Sequence, residues 1–169
     1  EIDSENNIWL FGDSGDILVL NENYEPVKDF TYLDIDQSNE CINIQIEEED
    51  IYFCTYIDNN DLGILEFNLS GDSAPIYQDY YPIHQIDDVG DLIIDLDSTD
   101  DEIFLTTNQG VYVANLNSDL KLPDSWSICS NSSNVIATLA LDDLFIFINS
   151  PDNSEISIIN ENGIVVNEF

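Results

Sequence analysis

Hydrophobic residues occur in short runs separated by polar turns along the whole chain. Four segments share one plan: an acidic residue or asparagine opens an apolar run, a polar turn follows, and a second apolar run ends at an asparagine. These segments span residues 7–21, 50–68, 102–115 and 143–160. Runs rich in β-branched and aromatic residues, bounded by Gly, Asn, Asp and Pro, are typical of strands. Each segment is therefore predicted to form a β-hairpin.

The hairpins repeat at a nearly constant interval. Their closing asparagines, at positions 21, 68, 115 and 160, lie 47, 47 and 45 residues apart. Further strand candidates lie between the hairpins at 27–32, 41–46, 76–81, 92–96, 125–129 and 135–140. No apolar stripe with helical spacing is longer than about one turn. The pattern predicts an all-β fold with four short antiparallel strands in each repeat of ~45 residues.

The turns of the first and third hairpins carry glycines at a recurring spacing. In the first, residues 8–12 read IWLFG and Gly15 precedes the second run; in the third, residues 103–107 read IFLTT and Gly110 precedes the second run. This pattern resembles the repeat of two-component-regulator-type β-propellers. The second and fourth hairpins have longer polar turns and depart from it. The resemblance implies propeller blades and says little about function, because propellers host many unrelated activities.

Four repeats of this size predict a single domain, a β-propeller-like array of about four four-stranded antiparallel blades. The approximate blades are 1–40, 41–88, 89–132 and 133–169. The sequence opens on a hairpin that no first strand precedes. Two arrangements therefore remain open: a compact four-bladed ring, or an arc of a larger propeller completed by other residues or chains.

The chain is extremely acidic. It has 36 Asp and Glu residues against two basic residues, Lys28 and Lys121, and a formal net charge of −34. This charge excludes direct binding to nucleic acid or to an anionic membrane surface, since both would repel the chain. Self-repulsion disfavours a compact state unless cations are plentiful, as in high salt or with Ca²⁺ held by oxygen ligands. The alternative is that the acidity only keeps the protein soluble.

Three acidic segments are candidate Ca²⁺ sites. The first sets carboxylates at positions i, i+2, i+5 and i+6, which would gather oxygens around an ion. The candidate ligands are Asp95, Asp97, Asp100 and Asp101 in the first segment, Asp34 and Asp36 in the second, and Asp58 and Asp61 in the third. No segment matches an EF-hand, because the mid-loop Gly and the terminal Glu are missing. The alternative interpretation is a set of Asx-type turns in solvated loops.

No residue pattern indicates catalysis, and the chain is not expected to be an enzyme. His84 is the sole histidine, no Arg is present, and neither G-x-S-x-G nor a Gly-rich phosphate loop occurs. His84 is expected to be an ordinary surface residue. The three cysteines lack the C-x-x-C spacing of zinc or redox sites. Buried free thiols are predicted for Cys41, Cys54 and Cys129, with a Cys41–Cys54 disulfide as the alternative.

Aromatic residues offer one further candidate surface. They would line a sugar-binding face or, as is more common, pack in the core and across strands. The residues concerned are Trp9, Tyr77, Tyr80, Tyr81 and Trp126.

Together these features predict a non-enzymatic module that binds a protein partner or further copies of itself, with cations bridging the acidic loops. An arc without its first strand could accept a strand by β-augmentation. The expected location is extracellular, at the cell surface or periplasmic, without insertion into a membrane, because no run of ~18 apolar residues occurs. The alternative is a ligand-sensing propeller domain from a larger two-component-type receptor.

Overall fold

The fold consists of β-strands and short turns. The computed structural model describes residues 2–3, 5–11, 16–31, 40–47, 50–57, 61–68, 76–130, 135–141, 144–149, 156–160 and 165–168. These residues contain two 3-10 turns, Ile83–Gln85 and Pro123–Ser125, and no α-helix. In this part of the chain no helix has the length and apolar character needed to cross a membrane. The predicted all-β fold class is confirmed.

The described strands form four antiparallel sheets in which sequence neighbours are also spatial neighbours. Sheet 1 contains β1 (Ile8–Phe11), β2 (Asp16–Leu20) and β3 (Pro26–Thr31). Sheet 2 contains β4 (Glu40–Glu47), β5 (Asp50–Ile57), β6 (Asp61–Asn68) and β7 (Ile76–Pro82). Sheet 3 contains β8 (Ile93–Ser98), β9 (Glu102–Thr107), β10 (Val111–Asn115) and β11 (Trp126–Ser130). Sheet 4 contains β12 (Val135–Leu141), β13 (Leu144–Asn149), β14 (Ile156–Asn160) and β15 (Val165–Glu168).

The sequence repeat is also a structural repeat. The four predicted hairpins are present as the pairs β1–β2, β5–β6, β9–β10 and β13–β14. In sheets 2, 3 and 4 a first strand precedes the hairpin, and its register shifts near its beginning, at 41/43, 93/95 and 135/137. In sheet 1 the described strands correspond to the last three of the repeat, and Ile2 forms an isolated antiparallel bridge with Ile8.

The repeated asparagine closes a turn at the end of a strand. After β2, Asn21 Oδ1 accepts hydrogen bonds from the backbone N–H groups of Asn23 at 2.9 Å and Glu25 at 3.0 Å. After β10, Asn115 Oδ1 accepts a bond from the N–H of Asn117 at 2.8 Å. A side-chain carbonyl that binds nearby N–H groups mimics a backbone turn. At these two positions the repeated Asn therefore ends one strand and starts the connection to the next.

In the described part of the structure, two clusters of buried residues lie on opposite faces of sheet 3. Ile103 and Leu105 of β9 belong to a buried cluster with residues of β6, β8 and the segment that connects sheets 2 and 3. Phe104 faces the opposite side and clusters with Val111 and with Val135 of β12. A strand buried on both faces has a continuous apolar run, which explains why residues 103–105 do not alternate. Sheet 3 therefore packs between sheets 2 and 4, and β8 contacts both β4 and β12.

Candidate functional site

Two of the predicted calcium ligands connect neighbouring sheets. Asp95 Oδ2 accepts a hydrogen bond from the backbone N–H of Thr138 at 2.8 Å, and Asp97 Oδ2 accepts one from the N–H of Ala140 at 2.6 Å. Their Oδ1 atoms accept bonds from the next residue's N–H, in Leu96 at 3.0 Å and in Ser98 at 2.9 Å. Asp95 and Asp97 thus link β8 to the open edge of β12. A cation at either carboxylate would compete with two N–H donors.

Asp97 lies in a strand and not in an Asx-type turn of a solvated loop. The strand extends two residues beyond the predicted end at position 96, and Asp97 lies within β8. Alternation places Asp95 and Asp97 on the same side of this strand, so both reach the neighbouring sheet.

Only part of the other predicted ligands lies within the described structure. Asp100 and Asp101 are exposed in the turn between β8 and β9. Asp61 is the first residue of β6, and its side chain lies outside the described part of the structure, as do Asp34, Asp36 and Asp58 entirely. Among the residues that the structure describes, no group of three or more His, Cys, Asp or Glu side chains could hold a metal ion. Calcium binding stays a prediction.

Of the cysteines and the histidine, the structure describes the side chains of Cys129 and His84. The Cys129 thiol is free and half-buried, and burial, followed by the nearby Glu102 carboxylate, raises its pKa to about 11. Cys41 and Cys54 lie on the adjacent strands β4 and β5, but their side chains are outside the described residues, so the disulfide stays a prediction. His84 is exposed in the first 3-10 turn, as expected for a surface histidine.

Both tryptophans are packed inside the molecule. Trp9 is 2% exposed and its Nε1 donates to Asp3 Oδ2 at 2.7 Å. Trp126 is 7% exposed and its Nε1 donates to the Leu120 carbonyl at 3.0 Å. A buried indole whose N–H has a partner is typical of core packing. Of the predicted aromatic residues, Tyr77 is exposed and stacks edge-on against Phe67 with ring centroids 5.8 Å apart.

The two remaining aromatic candidates, Tyr80 and Tyr81, are half-buried in β7. The Tyr80 hydroxyl donates to the Leu62 carbonyl at 3.4 Å, and the Tyr81 hydroxyl is hydrogen-bonded to Glu66. Both bonds link β7 to β6. Core and cross-strand packing therefore accounts for most of these aromatic residues, as the sequence favoured.

An open groove runs along one face of sheet 3, beside the segment that connects sheets 2 and 3. Two adjoining cavities of about 460 and 550 Å³ share Tyr112 of β10 and Ile128 of β11. Ile128 forms the exposed apolar floor of the groove, and Tyr112, opposite it across the strand pair, is buried. Ile86 and Pro123 also line the first cavity. Ile128 is 51% exposed, which leaves apolar surface open in the groove.

Hydrogen bonds hold the connecting segment beside the groove. The Tyr112 hydroxyl donates to the backbone carbonyl of Asp88 at 2.7 Å. Asp88 and Gly90 adopt the left-handed backbone region, with φ values of 59° and 89°. Asn108 Nδ2 donates to Asp91 Oδ1 at 2.7 Å, and the Asp91 N–H donates to Asn108 Oδ1 at 3.3 Å. The segment is thus tied to β10 and to the turn between β9 and β10.

The rim of the groove is acidic. Asp87, Asp88 and Asp124 line it and are exposed, and no described residue that lines it is basic. Burial, followed by the Asp88 carboxylate, raises the pKa of the Tyr112 phenol, so its hydroxyl stays protonated and donates near neutral pH. The groove combines an apolar floor with negative charge at its edges.

The sequence did not indicate this groove. Of the residues that line it, Trp126 alone is a candidate from the sequence, as part of a sugar-binding face. Tyr112 and Ile128 are 16 positions apart and become neighbours only through strand pairing. Asp87 and Asp88 are two acids among 36, so their charge alone could not distinguish them.

Comparison with solved structures identifies the fold. No protein-family model and no curated protein matches the sequence. The Pan2 WD40 domain of Neurospora crassa superposes with a TM-score of 0.60 at 15% identity, over 95% of this chain and 48% of that one. BamB from Moraxella catarrhalis superposes with a TM-score of 0.55 at 10% identity, over 100% of this chain and 47% of that one. The fold is that of a β-propeller.

A third structure similar to this chain is PorZ of Porphyromonas gingivalis, described as an essential surface component of the type-IX secretion system. Its TM-score is 0.59 at 12% identity, over 94% of this chain and 20% of PorZ. This chain thus spans about half the length of the first two structures and a fifth of the third. These similarities support a propeller fold, without favouring the two-component-regulator type among propellers.

Proposed function

We propose that this chain is a non-enzymatic binding and assembly module that contacts another protein through its propeller surface. The observation that carries the proposal is the open groove on sheet 3, with its half-exposed Ile128 and acidic rim. Ile128 and the nearby Leu122 expose apolar surface that a bound partner would remove from water. The small number of basic and histidine side chains supports the non-enzymatic part of the proposal.

An extracellular, cell-surface or periplasmic location belongs to the same proposal. The similarity to PorZ, a surface component of a secretion system, supports it. The net charge of −34 supports it as well, because cations that screen such repulsion are plentiful outside many cells.

The proposed module is expected to depend on cations for its stability or assembly. The experiment is a thermal melt with simultaneous light scattering in EDTA, in CaCl₂, and in NaCl of matched ionic strength. Ligands that bind only the folded state raise the melting temperature by linkage. We expect Ca²⁺ to raise the melting temperature, or to start assembly, beyond the effect of NaCl. Equal curves in all three buffers would contradict cation dependence.

A ligand-sensing domain of a two-component-type receptor is the second candidate function. The glycine spacing of the first and third hairpins favours it. The cavities of about 460 and 550 Å³ have the size of small-molecule sites. A thermal-shift screen of small metabolites distinguishes the two: stabilisation by a small ligand without any protein partner would favour the sensor.

A further inference from the structure

The groove on sheet 3 has an apolar floor that a bound side chain would cover. Tyr112 is 2% exposed and its ring is fixed by the bond to the Asp88 carbonyl, while Ile128 is 51% exposed beside it. Leu122, next to the groove residue Pro123, is 53% exposed. An aliphatic side chain placed on Ile128 would remove apolar surface of both partners from water, which is favourable by ~25 cal/mol per Å².

The acidic groups are distributed along the groove. Asp87 and Asp124 line the first cavity, and Asp88 lines the second. In the described part of the chain these carboxylates do not form a group able to hold one metal ion. Separated carboxylates beside an apolar floor are complementary to a ligand in which positively charged side chains alternate with apolar side chains.

A second copy of this chain lacks the required charge. Its two basic residues are Lys28 and Lys121. Lys121, in the segment before β11, already donates from its Nζ to Oδ1 of Asp79 in β7 at 2.7 Å. With a net charge of −34, a second copy would bring mainly further carboxylates to an acidic rim. The charge therefore favours a different protein as the occupant.

We propose that the groove binds a basic, extended peptide segment of another protein, in which Lys or Arg residues alternate with aliphatic residues. An aliphatic side chain of the segment lies on Ile128, and the cationic groups of its neighbouring residues lie near Asp87, Asp88 and Asp124. This inference rests on the proposed binding function and names the surface and the class of partner.

The experiment uses the full chain and a fluorescein-labelled synthetic peptide that alternates Lys and Leu. Fluorescence anisotropy measures its affinity, with a Lys/Ser peptide and a Glu/Leu peptide as controls. We expect the Lys/Leu peptide to bind most tightly. Asp87→Asn combined with Asp124→Asn should weaken its binding about 2- to 10-fold, since exposed charge pairs contribute modestly. Ile128→Ser should weaken it about 5- to 30-fold through lost apolar contact.

A matched variant separates local from general charge effects. Asp100→Asn combined with Asp101→Asn removes the same charge from the turn between β8 and β9, outside the groove, and should change the affinity less than the groove variant. Trp126 lines the groove, and in a Trp9→Phe variant it is the remaining tryptophan, so its emission should change on binding. Circular dichroism verifies that each variant is folded.

The possible outcomes are distinct. Equal weakening by the two double variants, or equal binding of the Lys/Ser and Lys/Leu peptides, would show diffuse charge attraction and overturn the inference. Self-assembly blocked by Ile128→Ser, without peptide binding, would assign the groove to a second copy and leave the proposed assembly function intact. Absence of both peptide binding and cation-dependent assembly would contradict the inference and the proposed function together.

Discussion

Replacing Asp97 with Asn tests whether side-chain carboxylates join sheets 3 and 4. In the native chain Oδ1 accepts from the Ser98 N–H at 2.9 Å and Oδ2 from the Ala140 N–H at 2.6 Å. An Asn side chain has one acceptor oxygen, and its NH₂ group would face the second N–H donor. One backbone N–H therefore loses its partner.

The size of the effect follows from the kind of bond lost. A hydrogen bond to a charged group contributes about 1.5–3 kcal/mol, and partial exposure of Asp97 favours the lower half of that range. In a domain of this size each kcal/mol corresponds to about 2–4 °C in melting temperature. We expect Asp97→Asn to lower the melting temperature by about 3–8 °C, measured by circular dichroism.

The matched control for this variant is Asp100→Asn. Asp100 is exposed in the following turn, and its replacement removes the same formal charge from a chain of net charge −34. Both variants relieve self-repulsion, so their difference isolates the hydrogen bonds. Hydrogen exchange should also accelerate at the Ala140 amide in Asp97→Asn alone. Equal melting temperatures and unchanged Ala140 exchange would refute the proposed link between the sheets.

Three further outcomes are expected. The hydrogen bond from Lys121 lowers the pKa of Asp79. The pair therefore stabilises the fold above the carboxyl's ordinary pKa of 3.8, and this stabilisation is lost as the pH falls through the lowered value. Lys121→Gln should shift the midpoint of acid unfolding to higher pH, and an unchanged midpoint would contradict this. The pKa of Cys129 is about 11 against the ordinary 9.0, which gives about 100-fold less thiolate near neutral pH. Iodoacetamide should therefore alkylate Cys129 far more slowly in the native chain than in urea. Equal rates would contradict burial of the thiol. Gly90→Ala places a Cβ against Asn108 at a φ of +89°. We therefore expect the free energy of unfolding in urea to fall by about 1–3 kcal/mol, and Lys/Leu peptide binding to weaken. Wild-type stability in this variant would show that the segment adapts.

Local sequence rules predicted the hairpins because strand pairing within a repeat depends on neighbours in sequence. Residues 102–115 alternate between apolar runs and a turn at Gly110, and they fold as β9 and β10. The closing Asn21 and Asn115 were visible as a spacing, and their role as turn-forming side chains explains it. The end of β8 was predicted too early because Asp97 has low strand propensity, which its bond to β12 overrides.

The charge of the chain was also evident from its composition, but the partners of each carboxylate were not. Asp95 and Asp97 were grouped with Asp100 and Asp101 because they are close in sequence. In the structure the first two bind N–H groups of another sheet and the last two face solvent. Asp95 and Asp97 belong to β8, whereas Asp100 and Asp101 belong to the turn that follows it.

The sequence by itself determined the all-β class, the repeat of about 45 residues, the positions of the hairpins and the extreme negative charge. These properties arise from short-range alternation, turn residues and composition, which require no knowledge of how the sheets pack. Only the tertiary structure decided that Asp95 and Asp97 meet residues 43 positions away, and that Asp87, Tyr112 and Ile128 share one groove. The physical reason is that contacts between sheets depend on the orientation of whole sheets, which no local pattern encodes.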